Sequence, residues 1–121
     1  MRYPRALRLL APAQYQRVFR LCEARSSDKY LTVLACSNAL AHPRLGTTVS
    51  IRNAGNAVKR NRIKRLIKES FRLNQQQLAG WDLVVVARAG VSSRTNRQLF
   101  NTLETHWRKI AAHANTGTDT D

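Results

Sequence analysis

The segment Trp81-Asp82-Leu83-Val84-Val85-Val86-Ala87-Arg88 does most to restrict the fold. It is a nearly continuous run of β-forming apolar residues, with no alternation that would leave one face wet. Such a run predicts a strand buried on both faces, at the centre of a sheet. The rest of a 121-residue chain must cover it. Tyr15, Val18, Phe19 and Cys22 recur at helical spacing and predict a helix over 12–22, opened by Pro12. The segments 29–37 (KYLTVLACS) and 45–51 (LGTTVSI) predict strands, and the short turn between them predicts an antiparallel hairpin. Residues 23–28, 38–44 and 52–56 read as loops. In 57–73, Ile63, Leu66, Ile67, Ser70 and Phe71 share one face of a helix that Asn56 can cap. A final helix over 93–112, capped by Ser92 or Ser93, bears Leu99, Phe100, Leu103, Trp107 and Ile110 as its apolar stripe. Residues 115–121 read as a disordered tail, which leaves a single domain over 1–114. Helices interleaved with strands on one sheet make an α+β or α/β sandwich.

The charge sets the partner. Lys and Arg total 21 against 7 Asp and Glu, a formal net charge of +14. A field of that sign and size seeks a polyanion, above all nucleic acid. The cations are mostly Arg, whose planar fork grips phosphate at two points and stacks on bases. They concentrate between 52 and 72, where Arg52, Lys59, Arg60, Arg62, Lys64, Arg65, Lys68 and Arg72 face one acid, Glu69. On the helical wheel Asn61, Lys64, Arg65, Lys68 and Arg72 lie opposite the apolar stripe. Like charges four apart, Arg60–Lys64 and Lys64–Lys68, destabilise a free helix by a few tenths of a kcal/mol each. A bound polyanion removes that cost. The Asn61 amide can bond a 2′-hydroxyl, a base edge or a phosphate-bound water. Tyr15 and Phe19, four apart, read by spacing as core residues; beside a basic surface such rings also stack single-stranded bases.

Other classes of function leave no mark. Cys22 and Cys36 form no CxxC pair and read as buried free thiols. The acids are sparse and unpaired at helical spacing, and His42, His106 and His113 have no Ser, Cys or acid at a suggestive distance in sequence. There is no P-loop or dinucleotide fingerprint. No catalytic or metal site is expected in the protein, nor a small-molecule substrate. No apolar run approaches the roughly 20 residues of a bilayer-spanning helix, so no membrane partner is expected. The N-terminal MRYPRALRLLAPA has too short an apolar stretch for a signal-peptide core, and a cytoplasmic location is expected.

The stretch Gly55–Arg72 (GNAVKRNRIKRLIKESFR), with Arg60-Asn61-Arg62 at its core, resembles the signature of the bacterial ribonuclease P protein component. Arg8–Phe19 is similar to that family's first helix, LGTTVSI to the strand before its loop, and Asp82–Gly90 to the strand after its basic helix. The resemblance implies an αβββαβα fold, ribosomal protein S5 domain 2-like, with helices on a four-stranded sheet in a small two-layer sandwich and a left-handed βαβ crossover. Only three strands can be read directly from the sequence. It also implies the non-catalytic protein subunit of an endoribonuclease whose chemistry is carried by RNA. The partners implied are ribonuclease P RNA and precursor tRNA, from which the 5′ leader is removed using Mg²⁺ bound mainly by the RNA subunit and substrate. By the same resemblance, Lys59, Arg60, Asn61, Arg62, Lys64, Arg65, Lys68 and Arg72 contact the catalytic RNA and the junction with the leader. Tyr15 and Phe19 would line a cleft for the single-stranded leader, joined by Arg52 and Asn56. Tyr15 stands where the family usually has Phe, and Arg52 takes the place of a lysine pair. The competing reading is a ribosomal or other structural RNA-binding protein, which accounts equally for charge and arginine content but not for the Gly55–Arg72 motif.

Overall fold

A computed structural model describes residues 11–119, with side chains as far as 113. The N-terminal residues 1–10, including Leu9 and Leu10, lie outside the described residues, as do Thr120 and Asp121. The elements in order are α1 (Pro12–Arg20), β1 (Ala24–Ser27), β2 (Leu31–Ser37), β3 (Arg44–Thr48), α2 (Ile51–Ala54), α3 (Ala57–Leu73), β4 (Trp81–Ala87), a 3-10 turn (Val91–Ser93) and α4 (Asn96–Asp119). The fold is a small α+β domain with a four-stranded mixed sheet.

The strand order is β1-β2-β4-β3. β4 runs antiparallel to β2, with Val33 opposite Val85, and parallel to β3, with Gly46 opposite Val84. The apolar run is thus central, as its composition requires. The expected β2–β3 hairpin does not form, because β4 lies between the two strands. What holds the 38–44 link in place is Asp82, 1% exposed inside the apolar run. Its carboxylate accepts from Arg44 Nε and Nη2 at 2.8 and 2.7 Å and from Asn38 Nδ2 at 2.9 Å. Both ends of the link are therefore tied to β4, and β3 is delivered to its far side.

β1 is the fourth strand, in a segment expected to be loop. Its composition, Ala-Arg-Ser-Ser, has no apolar alternation, yet its burial alternates. Ser26 occupies an inward position because His106 Nδ1 lies 2.5 Å from its hydroxyl. Polar satisfaction does here what hydrophobicity does in the other strands.

Alternation divides the sheet into two faces. Leu31, Val33, Ala35, Leu45, Leu83, Val85 and Ala87 join Ile63, Ile67, Phe71, Leu103, Trp107 and Ile110 in the main core, under α3 and α4. Phe71 and Trp107 meet edge-to-face at 6.1 Å, and the Trp107 indole donates to Ser70 Oγ at 2.9 Å, which explains a serine in an apolar stripe. On the other face Val18 of α1 packs with Cys36 and Val84, with Tyr15, Leu34 and Val86 alongside. This second cluster is small because α1 covers only part of that face.

Local chemistry moves several boundaries. α1 ends at Arg20 rather than 22. β3 stops at Thr48, and Ser50 Oγ accepts from Asn53 N at 3.0 Å to start α2 where strand and loop were expected. Gly55, at φ 109°, turns the chain from α2 into α3. α4 begins at Asn96, not 93: Thr95 Oγ1 accepts from Gln98 N at 3.1 Å and Gln98 Oε1 accepts from Thr95 N at 2.9 Å, a reciprocal cap. Ser92 and Ser93 lie in the 3-10 turn instead, donating to Ala54 O and Gly90 O. The backbone of α4 continues to Asp119, where a disordered tail was expected from 115. Its last residues, Asn115-Thr116-Gly117-Thr118-Asp119, have low helix propensity, so the sequence did not signal the continuation.

Candidate nucleic-acid interface

The basic helix spans the predicted residues, 57–73, and Asn56 caps it through Oδ1, which accepts from Lys59 N at 2.9 Å. The predicted site residues occupy different parts of the surface of α3. Lys59, in the first turn of α3 beside Gly55, and Asn61 and Arg65, on the outer face, are exposed and make no side-chain hydrogen bond or ion pair among the described residues. On one flank, Arg60 Nε donates to Val49 O at 2.7 Å, binding the helix to the end of the edge strand β3. Lys64 and Lys68 continue that flank, both half-buried. Burial, then repulsion from Arg60 and Lys68, hold the Lys64 ammonium below its ordinary pKa. On the opposite flank Arg62 is wholly engaged. It donates to Asn96 Oδ1 at 2.8 Å, Arg94 O at 2.7 Å and Ser92 O at 3.4 Å. Arg62 fastens the loop before α4 to α3, a structural role that the sequence motif does not reveal.

At the C-terminal end Arg72 pairs with Glu69, with Nη2 and Nε at 2.5 and 3.1 Å from its two oxygens. Hydrogen bonding to Arg72 lowers the Glu69 pKa and raises that of its partner. Glu69 is the one acid on α3 and is taken by Arg72, and among the described residues Lys59 and Arg65 have no ion pair.

Tyr15 and Phe19 belong to α1, on the other side of the sheet. The Tyr15 ring lies on Gly46: a Cβ there would be 2.5 Å from Tyr15 Cε1. Phe19 is 48% exposed, too wet for a core residue. The sheet on that side presents Leu34 and Val86, both half-buried, and Thr48. That face therefore carries two aromatic side chains of α1 together with part-apolar positions of the sheet. Arg52, on α2 beyond β3, is exposed. Asn56 is occupied as a cap and serves the site by starting α3. The edge strand β3 therefore separates two surfaces, that of Tyr15 and Phe19 on one face of the sheet and the basic helix on the other.

Two further cations belong to the face of Tyr15 and Phe19, and the linear sequence did not single them out. Strand alternation puts Arg25, opposite Leu34, and Arg88, two residues after Val86, on that face, and both are exposed. The signal was present as an arginine inside β1 and another just after β4, but it has meaning only once the sheet order is known.

The structure also builds a buried Ser26–His106–Asp28 chain that sequence spacing missed, since its members lie 78 and 80 residues apart. His106 Nε2 lies 2.7 Å from Asp28 Oδ2. Ser26 and His106 are 5% and 2% exposed and the Asp28 side chain 32%, and the chain joins β1 to α4. Cys36 is buried and Cys22 half-buried, both free. Burial pushes the Cys36 thiol pKa up, so it is not primed as a nucleophile. Among the described residues no three His, Cys, Asp or Glu side chains are grouped to hold a metal. No described helix is long and apolar enough to cross a membrane.

The chain matches the Ribonuclease P family model over residues 3–111. It is 45% identical over 109 residues to the ribonuclease P protein component of Idiomarina loihiensis, covering 90% of this chain and 87% of that one. It is 50% identical over 105 residues to that of Methylococcus capsulatus, covering 87% and 81%. Among solved structures, the Staphylococcus aureus RNase P protein superposes with a TM-score of 0.78 at 33% identity, over 86% of this chain and 94% of the other. The Thermotoga maritima RNase P protein does so with a TM-score of 0.72 at 28% identity, over 84% and 96%. The basic helix, the α+β fold and these relationships agree: the chain belongs to the ribonuclease P protein component family.

Proposed function

We propose that this chain is the protein subunit of a ribonuclease P ribonucleoprotein. It binds the ribonuclease P RNA and the single-stranded 5′ leader of precursor tRNA, and assists endonucleolytic release of the leader in the cytoplasm. The observation that best supports this is α3, whose cations have one acid among them and lie across one edge strand from Tyr15 and Phe19.

In this reading the catalytic groups belong to the RNA, and Mg²⁺ is bound by the RNA and substrate. Four carboxylates of the described residues serve the fold. Asp82 is engaged by Arg44, Asp28 by His106, Glu69 by Arg72, and Glu23 by Ser37 N at 2.7 Å. None is left in a group for a divalent ion. The protein's own work is electrostatic and steric. Lys59, Arg65 and the Lys64–Lys68 flank neutralise phosphates of the catalytic RNA, Asn61 hydrogen-bonds to it, and Tyr15 and Phe19 stack leader bases at about 1–3 kcal/mol per base. Placing positive charge between two polyanions lowers their repulsion and the Mg²⁺ concentration needed for assembly.

The test is cleavage of a 5′-extended precursor tRNA at low Mg²⁺ and near-physiological salt by a bacterial ribonuclease P RNA alone, by this protein alone and by both. Cleavage at the mature 5′ end is expected only in the mixture. No stimulation, with the protein still binding structured RNA tightly, would overturn the proposal in favour of a general RNA-binding role.

A further inference from the structure

A second cationic cluster lies away from both surfaces. Tyr30, in the β1–β2 turn, is half-buried against the main core, on the α3–α4 side of the sheet and so opposite α1. Two cations flank its ring: the Arg94 guanidinium carbon 5.1 Å from the centroid and the Lys29 ammonium 5.7 Å from it. These residues are 65 positions apart in sequence and meet only in the fold.

Neither cation has an acid. The one nearby in sequence, Asp28, is turned inward: Oδ1 accepts from Tyr30 N at 2.6 Å and Leu31 N at 2.9 Å, and Oδ2 faces His106. Among the described residues no ion pair includes Lys29 or Arg94. The loop bearing Arg94 is nonetheless held firmly. Arg62 grips it at three acceptors, and Val91 is buried beneath it. A surface arginine ordinarily loses considerable rotamer freedom on seizing a ligand. Here the aromatic face and the fixed loop have already oriented it. Two like charges assembled about one ring, with their neighbouring carboxylate diverted, make a site for an anion with more than one charged oxygen.

We propose that Lys29, Tyr30 and Arg94 form a second RNA-binding site that takes the phosphodiester backbone of a structured RNA, with Arg62 as its positioning residue. This rests on the ribonuclease P reading above. The backbone engaged could belong to the ribonuclease P RNA or to the body of precursor tRNA, and the test separates them.

Filter binding would be measured with the full chain for two ligands: ribonuclease P RNA to protein, and leaderless tRNA to the assembled holoenzyme. Each is run at 50 and 200 mM monovalent salt, with thermal unfolding alongside. The double variant K29A/R94A should lose two phosphate contacts for one of the two RNAs. Its log-log salt slope should be shallower by about 2, so its affinity deficit should shrink about tenfold between the two salt concentrations. Its unfolding midpoint should remain close to that of the parent. R62A should reproduce the Arg94 part of the loss, and R62A/R94A should add little to R94A, the non-additivity expected when one residue acts through another. The control is R65A/K59A, two exposed cations of α3. Loss of binding in the control with unchanged slopes for K29A/R94A on both RNAs would overturn this site and leave the ribonuclease P reading standing. Unchanged binding in both variants would overturn the two together.

Discussion

Single residues show most directly how packing and solvation shape the site. Gly46 is required by a neighbour, not by its own backbone: the Tyr15 ring occupies the space of its missing Cβ. G46A should expel that ring, cost about 1–3 kcal/mol as an overpacked core site does, and weaken leader-dependent binding. A lower urea midpoint together with a reduced effect of leader length on affinity checks this. An unchanged leader effect would remove Tyr15 from the cleft. Asp28 makes a pH prediction. Burial pushes its pKa up, but hydrogen bonds from Tyr30 N, Leu31 N and His106 outweigh it and hold the carboxyl below its ordinary 3.8. A carboxylate depressed in the folded state contributes stability above its unfolded pKa and loses it as pH falls through the folded value. The parent should therefore lose stability below about pH 4, while D28N should be less stable at neutral pH and show a flatter acid limb in unfolding titrations. Sequence could mark these residues only in part. Gly46 looks like any strand glycine, and Asp28 like a turn aspartate, until Tyr15 and His106 arrive from elsewhere in the chain.

At the scale of the element, α3 was the most legible feature. Its stripe, its cap and its bounds follow from nearest-neighbour rules of helices. The cap gives a clean test: N56A should cost about 1 kcal/mol, against a few tenths for N56G, measured by chemical denaturation. The basic flank trades stability for binding. Lys64 has its pKa lowered by burial and by its neighbours, so its charged form burdens the folded state at neutral pH. The sign follows from linkage: a base with a depressed folded pKa releases its proton first in the native state, and stability rises as pH climbs toward the lysine range. K64Q should accordingly stabilise the free protein by roughly 0.5 kcal/mol, the relief of two like-charge pairs, while weakening RNA binding. A destabilised K64Q, or one that binds RNA as the parent does, would contradict this account. β1 was the element hidden from sequence, because its inward polar residue is matched by a histidine 80 residues away.

At the scale of the whole molecule, the charge of +14 is the property that reaches the partner first. If about 6–10 phosphates are neutralised, affinity for ribonuclease P RNA should fall by about 10³–10⁵ between 50 and 200 mM salt. A flat salt response would contradict an electrostatic interface of this kind. The charge, the amphipathic helices and the central apolar strand were all readable in the chain because each depends on residues close in sequence or on a simple sum. The pairing of strands was not. Whether β2 meets β3 or β4 depends on which neighbour best buries the apolar run and where Asp82 finds Arg44 and Asn38. The site divides along the same line. Composition and the Arg60-Asn61-Arg62 motif marked the helix as basic, while only the fold set Arg62 to hold a loop, left Arg65 bare and Phe19 exposed, and brought Lys29 and Arg94 to one ring. Local periodicity and net charge are short-range or additive quantities that a linear string preserves. Burial, ion pairing and cleft formation depend on distances between residues far apart in that string, and folding alone supplies those distances.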